Sequence, residues 1–301
     1  MIDYQYLVSH SDLFPSVLGV SHSHFQGILK KFVPVLHQAQ LKKALSHSRI
    51  REIGGGHPYK LKSDEEKLFF ILFYYKVYPT FRLAQAIFGF DKRNIQLLKE
   101  FLEPVLFKAM GYKLDLPKVK SRYLGQVIEV CPQLKDFIVD ATERKIRRPK
   151  DGGKQEFYYS GKKKQHTVKN QILVNPHTKK ILSVSATVEG KRHDKKLATD
   201  DPIFLYLPPG STGAGDSGYL GLEKHHHLKH MVIPQKRANG KELNESEKQT
   251  NTTISRIRVR VEHPFAWLKH FGILSQTFRN RIPLAHQPFV NLACLYNYCM
   301  T

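Results

Sequence analysis

Phe137-Ile138-Val139-Asp140-Ala141-Thr142 decides how the chain is read: a short β-type apolar run that delivers a carboxylate. Asp140 is expected to end a buried strand, where a carboxylate can be rigidly aimed. Further along, Gln171-Ile172-Leu173-Val174 and Ile181-Leu182-Ser183-Val184-Ser185-Ala186 flank Asn175-Pro176-His177-Thr178, the pattern of a hairpin. A glycine-rich run from Gly210 to Gly215 carries the chain to Asp216, where it permits close approach of a substrate. Met231-Val232-Ile233-Pro234 reads as another short strand, and a long helix runs through Ile254, Ile257, Val261, Phe265 and Leu268. That helix carries Glu262, with Arg256, Arg258, Arg260 and Lys269 around it.

The order strand, hairpin, helix, strand, helix, strand, long helix is that of an RNase H-like α/β domain with a mixed sheet, expected over residues 116–301. Upstream, residues 1–56 read as a helical lead-in, with Phe25, Ile28, Leu29, Phe32, Val33, Leu36 and Leu41 at helical spacing. It either packs on its own domain or makes a dimer or DNA contact. Gly54-Gly55-Gly56-His57-Pro58 marks a joint. Residues 57–115 form an all-α unit: Ser63 and Glu66 make a capping box, Pro79 ends the first helix, Gly89 stops the second, and Asp91 caps a third. This is a helix-turn-helix pattern for DNA binding. Lys92, Arg93, Asn94 and Gln96 open its third helix, the residue types that reach phosphates and base edges.

Charge narrows the partner. The 301 residues hold 48 Lys plus Arg against 26 Asp plus Glu, a net charge of +22 and a pI near 9.8. Such a balance implies a polyanion, because phosphate neutralisation releases counterions. Nucleic acid is the better fit, since no apolar run approaches the roughly 18 to 20 residues of a spanning helix. The N-terminus shows no signal-peptide pattern, so a cytoplasmic protein is expected. Cys131, Cys294 and Cys299 have no metal-type spacing and argue against a disulfide framework.

Carboxylates that persist in so basic a chain point to metal. Hard divalent cations take oxygen ligands, and in-line displacement at phosphorus needs both attacking and leaving oxygens held. Asp140, Asp216 and Glu262 are the candidate ligands. Asp194, after His193, lies where a strand gives way to a helix; it is either a cap or brace for a basic neighbour, or an auxiliary active-site acid. Glu143 is a weaker candidate, and Asp151, Asp200 and Asp201 read as loop or capping acids. His225-His226-His227 with His230 reads as a surface polar cluster, because consecutive histidines cannot converge on one ion. Trp267 reads as core. The runs Arg144-Lys145-Ile146-Arg147-Arg148-Pro149-Lys150 and Lys162-Lys163-Lys164 flank the aromatic patch Phe157-Tyr158-Tyr159 and are expected to hold DNA backbone.

Val-Asp-Ala-Thr at Asp140, Gly-Lys-Arg-His-Asp-Lys at Asp194, Gly-Asp-Ser-Gly-Tyr at Asp216, and Arg258 and Lys269 flanking Glu262 together resemble the DDE transposases of bacterial insertion sequences. They are similar to the insertion-sequence family five group and to the Harbinger-type endonuclease domain, over about residues 136 to 296 and more weakly over 63 to 110. Where a related signature carries a tyrosine, this chain has Ser255. The resemblance implies catalysis and metal binding by Asp140, Asp216 and Glu262, with two Mg²⁺ or Mn²⁺ ions per site. It also implies contacts of Arg258 and Lys269 with DNA near the reacting end. The expected activity is recognition of terminal inverted repeats in double-stranded DNA, cleavage at the element ends and transfer of 3′-hydroxyl ends into target DNA. A homodimer or higher oligomer, in the bacterial cytoplasm and on the nucleoid, would carry this out. The alternatives are a transposase-derived DNA-binding protein and a metal-dependent endonuclease without strand transfer.

Overall fold

The computed structural model describes residues 4–46, 60–111, 136–208, 210–226, 228–235 and 243–300, apart from the side chain of Ile257. Cys131, His227, the glycine joint at 54–58, and the expected domain boundaries at 56/57 and 115/116 lie outside the described residues.

Three helices open the chain: α1 (Tyr4–Ser9), α2 (Phe14–Leu18) and α3 (His22–Leu45). Ser21 caps α3 by accepting the His24 amide at 3.2 Å. Phe25, Ile28, Leu29, Phe32 and Leu36 are buried at the expected helical spacing. Leu41, expected on the same face, is 52% exposed, while Ala44 further along the helix is buried.

The capping box predicted at Ser63 starts α4 (Asp64–Val77), with Ser63 Oγ accepting the Glu66 amide and Glu66 Oε2 accepting that of Ser63, both at 3.1 Å. The chain leaves α4 at Tyr78, in the left-handed region at φ 50°, one residue before Pro79. Then come α5 (Phe81–Phe88), capped by Thr80 and ended by Gly89 at φ 70°, and α6 (Lys92–Met110), capped by Asp91. An apolar face was expected on α4, yet every residue from Lys67 to Tyr75 is buried. Helices from both ends of the chain surround it.

The sheet centres on β1 (Asp136–Lys145). On one side β3 (Gln165–Val174) pairs with it antiparallel from Ile138↔Val174 to Lys145↔Thr167. β2 (Tyr159–Ser160), β4 (Ile181–Val184) and β5 (Val188–Glu189) all pair with β3, the hairpin to β4 carrying an irregularity at Leu173/Val174. On the other side β6 (Thr212–Ala214) runs parallel to β1, and β7 (His230–Val232) parallel to β6. The architecture is a mixed α/β sheet preceded by helices. Its remaining helices are α7 (Gly152–Tyr158), α8 (Asp194–Asp200), α9 (Glu245–Lys269), α10 (Gly272–Ser275) and α11 (His286–Cys299).

Alternation along β1 divides the core. Ile138 faces a hydrophobic cluster with Val168, Ile172, Val261, Phe265 and Leu268, and this cluster continues through the helices from Leu7 to Tyr296. Phe137 and Val139 face a second, smaller one with Leu173, Ala198 and Tyr219. Each fully buried large side chain contributes about 1.5–3 kcal/mol, so the first cluster holds sheet and N-terminal helices together. Trp267 packs on Phe271 and Tyr296, ring centroids 4.9 and 5.5 Å away. No described helix is long and apolar enough to cross a membrane.

Candidate active site

The pairing of β1 with β6 stops at Ile138↔Ala214. Asp140 and Asp216 each lie two residues beyond that last pair, where the two parallel strands part and open a crevice at their carboxyl ends. Asp140 is mid-strand rather than at the strand's end, because β3 goes on pairing with β1 to Lys145. What ends there is the contact with β6. Asp140 Oδ1 accepts the Ala141 amide at 2.8 Å, and Asp216 Oδ1 accepts the Gly218 amide at 2.7 Å, capping a single 3₁₀ turn over Ser217–Tyr219. Gly218 matters for space: a Cβ there would stand 2.8 Å from Asp216 Oδ1 and 3.0 Å from Asp194 Oδ2. Both carboxylates converge on that point.

Electrostatics record the crowding. Burial pushes the Asp140 carboxyl up to about 6, opposed by the Ala141 amide, raised further by Asp216, lowered by Arg258 and raised by Asp194. Burial and the same three aspartates, led by Asp194, hold the Tyr219 phenol well above its ordinary value, and its buried hydroxyl has no hydrogen-bond partner among the described residues. A raised folded-state value means that protonated Asp140 contributes stability below about pH 4, which is lost as pH rises through about 6. Asp140→Asn is therefore expected to stabilise the fold by about 1–3 kcal/mol above pH 7 and to change little near pH 4. Thermal unfolding at the two pH values checks this, and equal shifts at both would contradict it.

Lys169, on β3, completes the site. Only 6% exposed, its ammonium meets Asp194 Oδ1 at 2.8 Å, Glu143 Oε1 at 3.8 Å and the Arg192 carbonyl at 2.6 Å. Glu143, within β1, also accepts from Thr167 Oγ1 at 2.7 Å. His193 caps α8, so Asp194 is its first residue and braces Lys169. A cleft of about 180 Å³ is walled by Asp140, Glu143, Asp194, Asp216, Lys162, Lys163, Lys169 and Lys269. It adjoins a larger one of about 370 Å³, lined also by Lys191, Arg192 and His193. Lys169 was not among the residues singled out from sequence. Its signal was there: Lys169 stands between apolar Val168 and the run Ile172-Leu173-Val174, and a charge buried in such a strand needs a partner.

The other candidates divide. Arg258 acts on Asp140 and Lys269 lines the cleft, both from α9. Glu262 is exposed and lies outside the walls of either cleft. At about 100° per residue, it nevertheless shares an arc of roughly 40° with Arg258 and Lys269. Lys162, Lys163 and Lys164 are exposed in the turn between β2 and β3, the first two at the cleft wall. Arg147 and Arg148 are exposed, Arg148 held by Gln155 at 2.8 and 3.0 Å. Arg144 departs from its expected place on a DNA-facing run. It is 4% exposed, bonded to Asn170 Oδ1 at 2.6 Å and the Ala285 carbonyl at 3.0 Å, and stacked on Phe289. Strand alternation turns it into the core, and burial lowers its guanidinium to about 9. Lys92, Arg93 and Asn94 are exposed at the start of α6, and Gln96 is half-buried, bonded to Glu100. His226 stacks on Phe204, ring centroids 5.2 Å apart, and lines neither cleft.

Residues 139–297 match the DDE superfamily endonucleases, a span that includes Asp140, Asp194, Asp216 and Glu262. The chain is 30% identical over 239 residues to a transposase for insertion sequence element IS702 of Microchaete diplosiphon, covering 78% of this chain and 80% of that one. It is 22% identical over 247 residues to a transposase for element IS112 of Streptomyces albus G, covering 82% and 84%. The chain belongs to the DDE superfamily of endonucleases. The chain is also similar, at a TM-score of 0.44 and 9% identity over 92% of this chain and 74% of that one, to a cryo-EM structure of the piggyBac transposase synaptic complex with hairpin DNA.

DDE superfamily endonucleases depend on divalent metal ions. In this DDE endonuclease the cleft offers only carboxylate oxygens as anionic donors, which suits a hard cation. The convergence of Asp216 and Asp194 on Gly218 gathers negative charge beside Asp140, whose carboxyl burial and then these two acids push upward. Asp140 and Asp216 fit such an ion. Among the described residues no three His, Cys, Asp or Glu side chains stand close enough to surround one.

Proposed function

We propose that this DDE endonuclease is an insertion-sequence transposase that binds terminal inverted repeats, cuts at the element ends and joins the freed 3′-hydroxyls to target DNA. The observation that carries the reading is the convergence of Asp140 and Asp216 where β1 and β6 part, beneath a rim of Lys162, Lys163 and Lys269. Asp140 and Asp216, with Glu262 from α9, would hold two Mg²⁺ or Mn²⁺ ions. When bound, such ions supply Lewis acidity and neutralise charge on the phosphate. Lys269 and Arg258 hold the reacting strand, and Lys162, Lys163, Lys164, Arg147 and Arg148 hold flanking backbone. The mixed sheet is read as RNase H-like. α5 and α6 act as a helix-turn-helix, with Lys92, Arg93, Asn94 and Gln96 towards the repeat. Residues 1–56, 57–115 and 116–301 divide the tasks of dimer or DNA contact, end recognition and catalysis. Pairing two ends requires a homodimer or a higher oligomer.

Purified protein incubated with labelled element ends and a target plasmid, with Mg²⁺, Mn²⁺ or chelator, tests this. Metal-dependent cleavage with joined product supports it; cleavage without joining makes the protein an endonuclease, and binding without cleavage a DNA-binding protein. Lys162→Ala with Lys163→Ala is expected to weaken end binding and to lower the slope of log K against log salt by about 2. An unchanged slope would take both lysines off the DNA.

A further inference from the structure

Phe157 and Tyr159 are large rings left 44% exposed each, at the junction of α7 and β2, in a chain that otherwise buries most of its aromatic surface. They are held rather than loose. Tyr158 packs on the main hydrophobic cluster and meets Phe157 edge-on, with centroids 4.9 Å apart at 89°. His166 meets the Tyr159 ring at 5.6 Å. Cations connect the rings to the acidic cleft. Lys191 Nζ lies 5.8 Å from the Phe157 centroid and 3.2 Å from the Glu156 carbonyl, while Lys191 itself lines the larger cleft. Ser160 and Gly161, which follow Tyr159, line that cleft too, and it reaches Asp194 and Asp216. Lys162 lines both clefts.

Rings with open faces beside a cationic track that ends at carboxylates match one ligand chemistry. Bases stack on aromatic rings whatever their sequence, and lysines follow the phosphates. A duplex hides its base faces, so only an unpaired nucleotide can use such rings. We propose that Phe157 and Tyr159, bridged to the acidic cleft by Lys191 and Lys162, form a stacking platform for an unpaired DNA nucleotide beside the reacting phosphate. This rests on the DNA-end reading above. The platform explains why the chain spends two exposed aromatics where lysines alone would hold backbone.

The test uses the full chain without divalent cation and two probes sharing one duplex, one blunt and one with a short single-stranded 3′ overhang carrying 2-aminopurine. The wild type is expected to bind the overhang probe more tightly and to quench 2-aminopurine by stacking. Phe157→Ala with Tyr159→Ala should lose about tenfold or more in affinity for the overhang probe, lose the quenching, and bind the blunt probe as before. Phe157→Tyr and Tyr159→Phe keep the rings and should keep both signals, which separates stacking from a folding defect. An overhang preference and quenching that survive the double alanine change would overturn the platform and leave the DNA-end reading intact. A wild type that binds neither probe would overturn both.

Discussion

Asp140→Asn and Asp216→Asn are each expected to lower end cleavage by about a thousandfold or more while leaving end binding within about twofold. Charge stabilisation by a bound cation is worth several kcal/mol at the transition state, and each 1.36 kcal/mol is tenfold in rate. Asparagine is nearly isosteric with aspartate, and its side-chain carbonyl can still accept the 2.8 Å bond from the Ala141 amide or the 2.7 Å bond from the Gly218 amide. The local geometry should therefore survive, and only the negative charge is removed. Binding should persist because basic groups of the cleft rim and α6 hold phosphate without the acids. Asp140→Asn should also stabilise the fold above pH 7, so loss of activity would accompany a gain in melting temperature. Cleavage retained at a tenth of the wild-type rate or better would remove the substituted residue from the catalytic set. Glu262→Gln belongs in the same series, since Glu262 starts outside the cleft walls and must turn inward along its helix face to act.

Lys169→Met should cost about 3–5 kcal/mol of stability, because removing one partner of a buried ion pair leaves the opposite charge uncompensated. Two carboxylates, Asp194 at 2.8 Å and Glu143 at 3.8 Å, would lose their shared cation, and the Arg192 carbonyl would lose a donor. Methionine fills nearly the same volume, so a cavity contributes little. Urea unfolding of Lys169→Met, and of Lys169→Met with Asp194→Leu, measures the effect. The double change should recover part of the loss by removing one orphaned charge. A loss below about 1 kcal/mol for the single change would mean that water reaches the group and screens the pair.

Local patterns were legible where local physics governs. The Ser63 capping box, the Thr80 and Asp91 caps and the Gly89 stop set α4, α5 and α6 close to where the sequence places them. The β1 run, the 175–178 turn and the long helix carrying Glu262 were likewise readable from period and turn chemistry. The motif acids were readable as carboxylates out of keeping with a chain of +22.

Tertiary structure decided the partners. The sequence does not say that β3 would hold β1 together past Asp140 while β6 parts from it, and it is this divergence that opens the crevice. A basic run reads as surface, yet strand alternation sends Arg144 inward, while Arg147 and Arg148, past the end of β1, stay exposed. α4 looks amphipathic until helices from distant parts of the chain cover its remaining face. The sequence by itself determined α3 to α6, β1, the β3–β4 hairpin, β7 and α9, with the acids on β1 and α9, but not α7, β2 or β5. The fold alone decided that Lys169 neutralises Asp194 and Glu143 and that Glu262 stands apart from the other acids, because a buried charge is matched by whatever the packing brings beside it, and that neighbour lies far away along the chain.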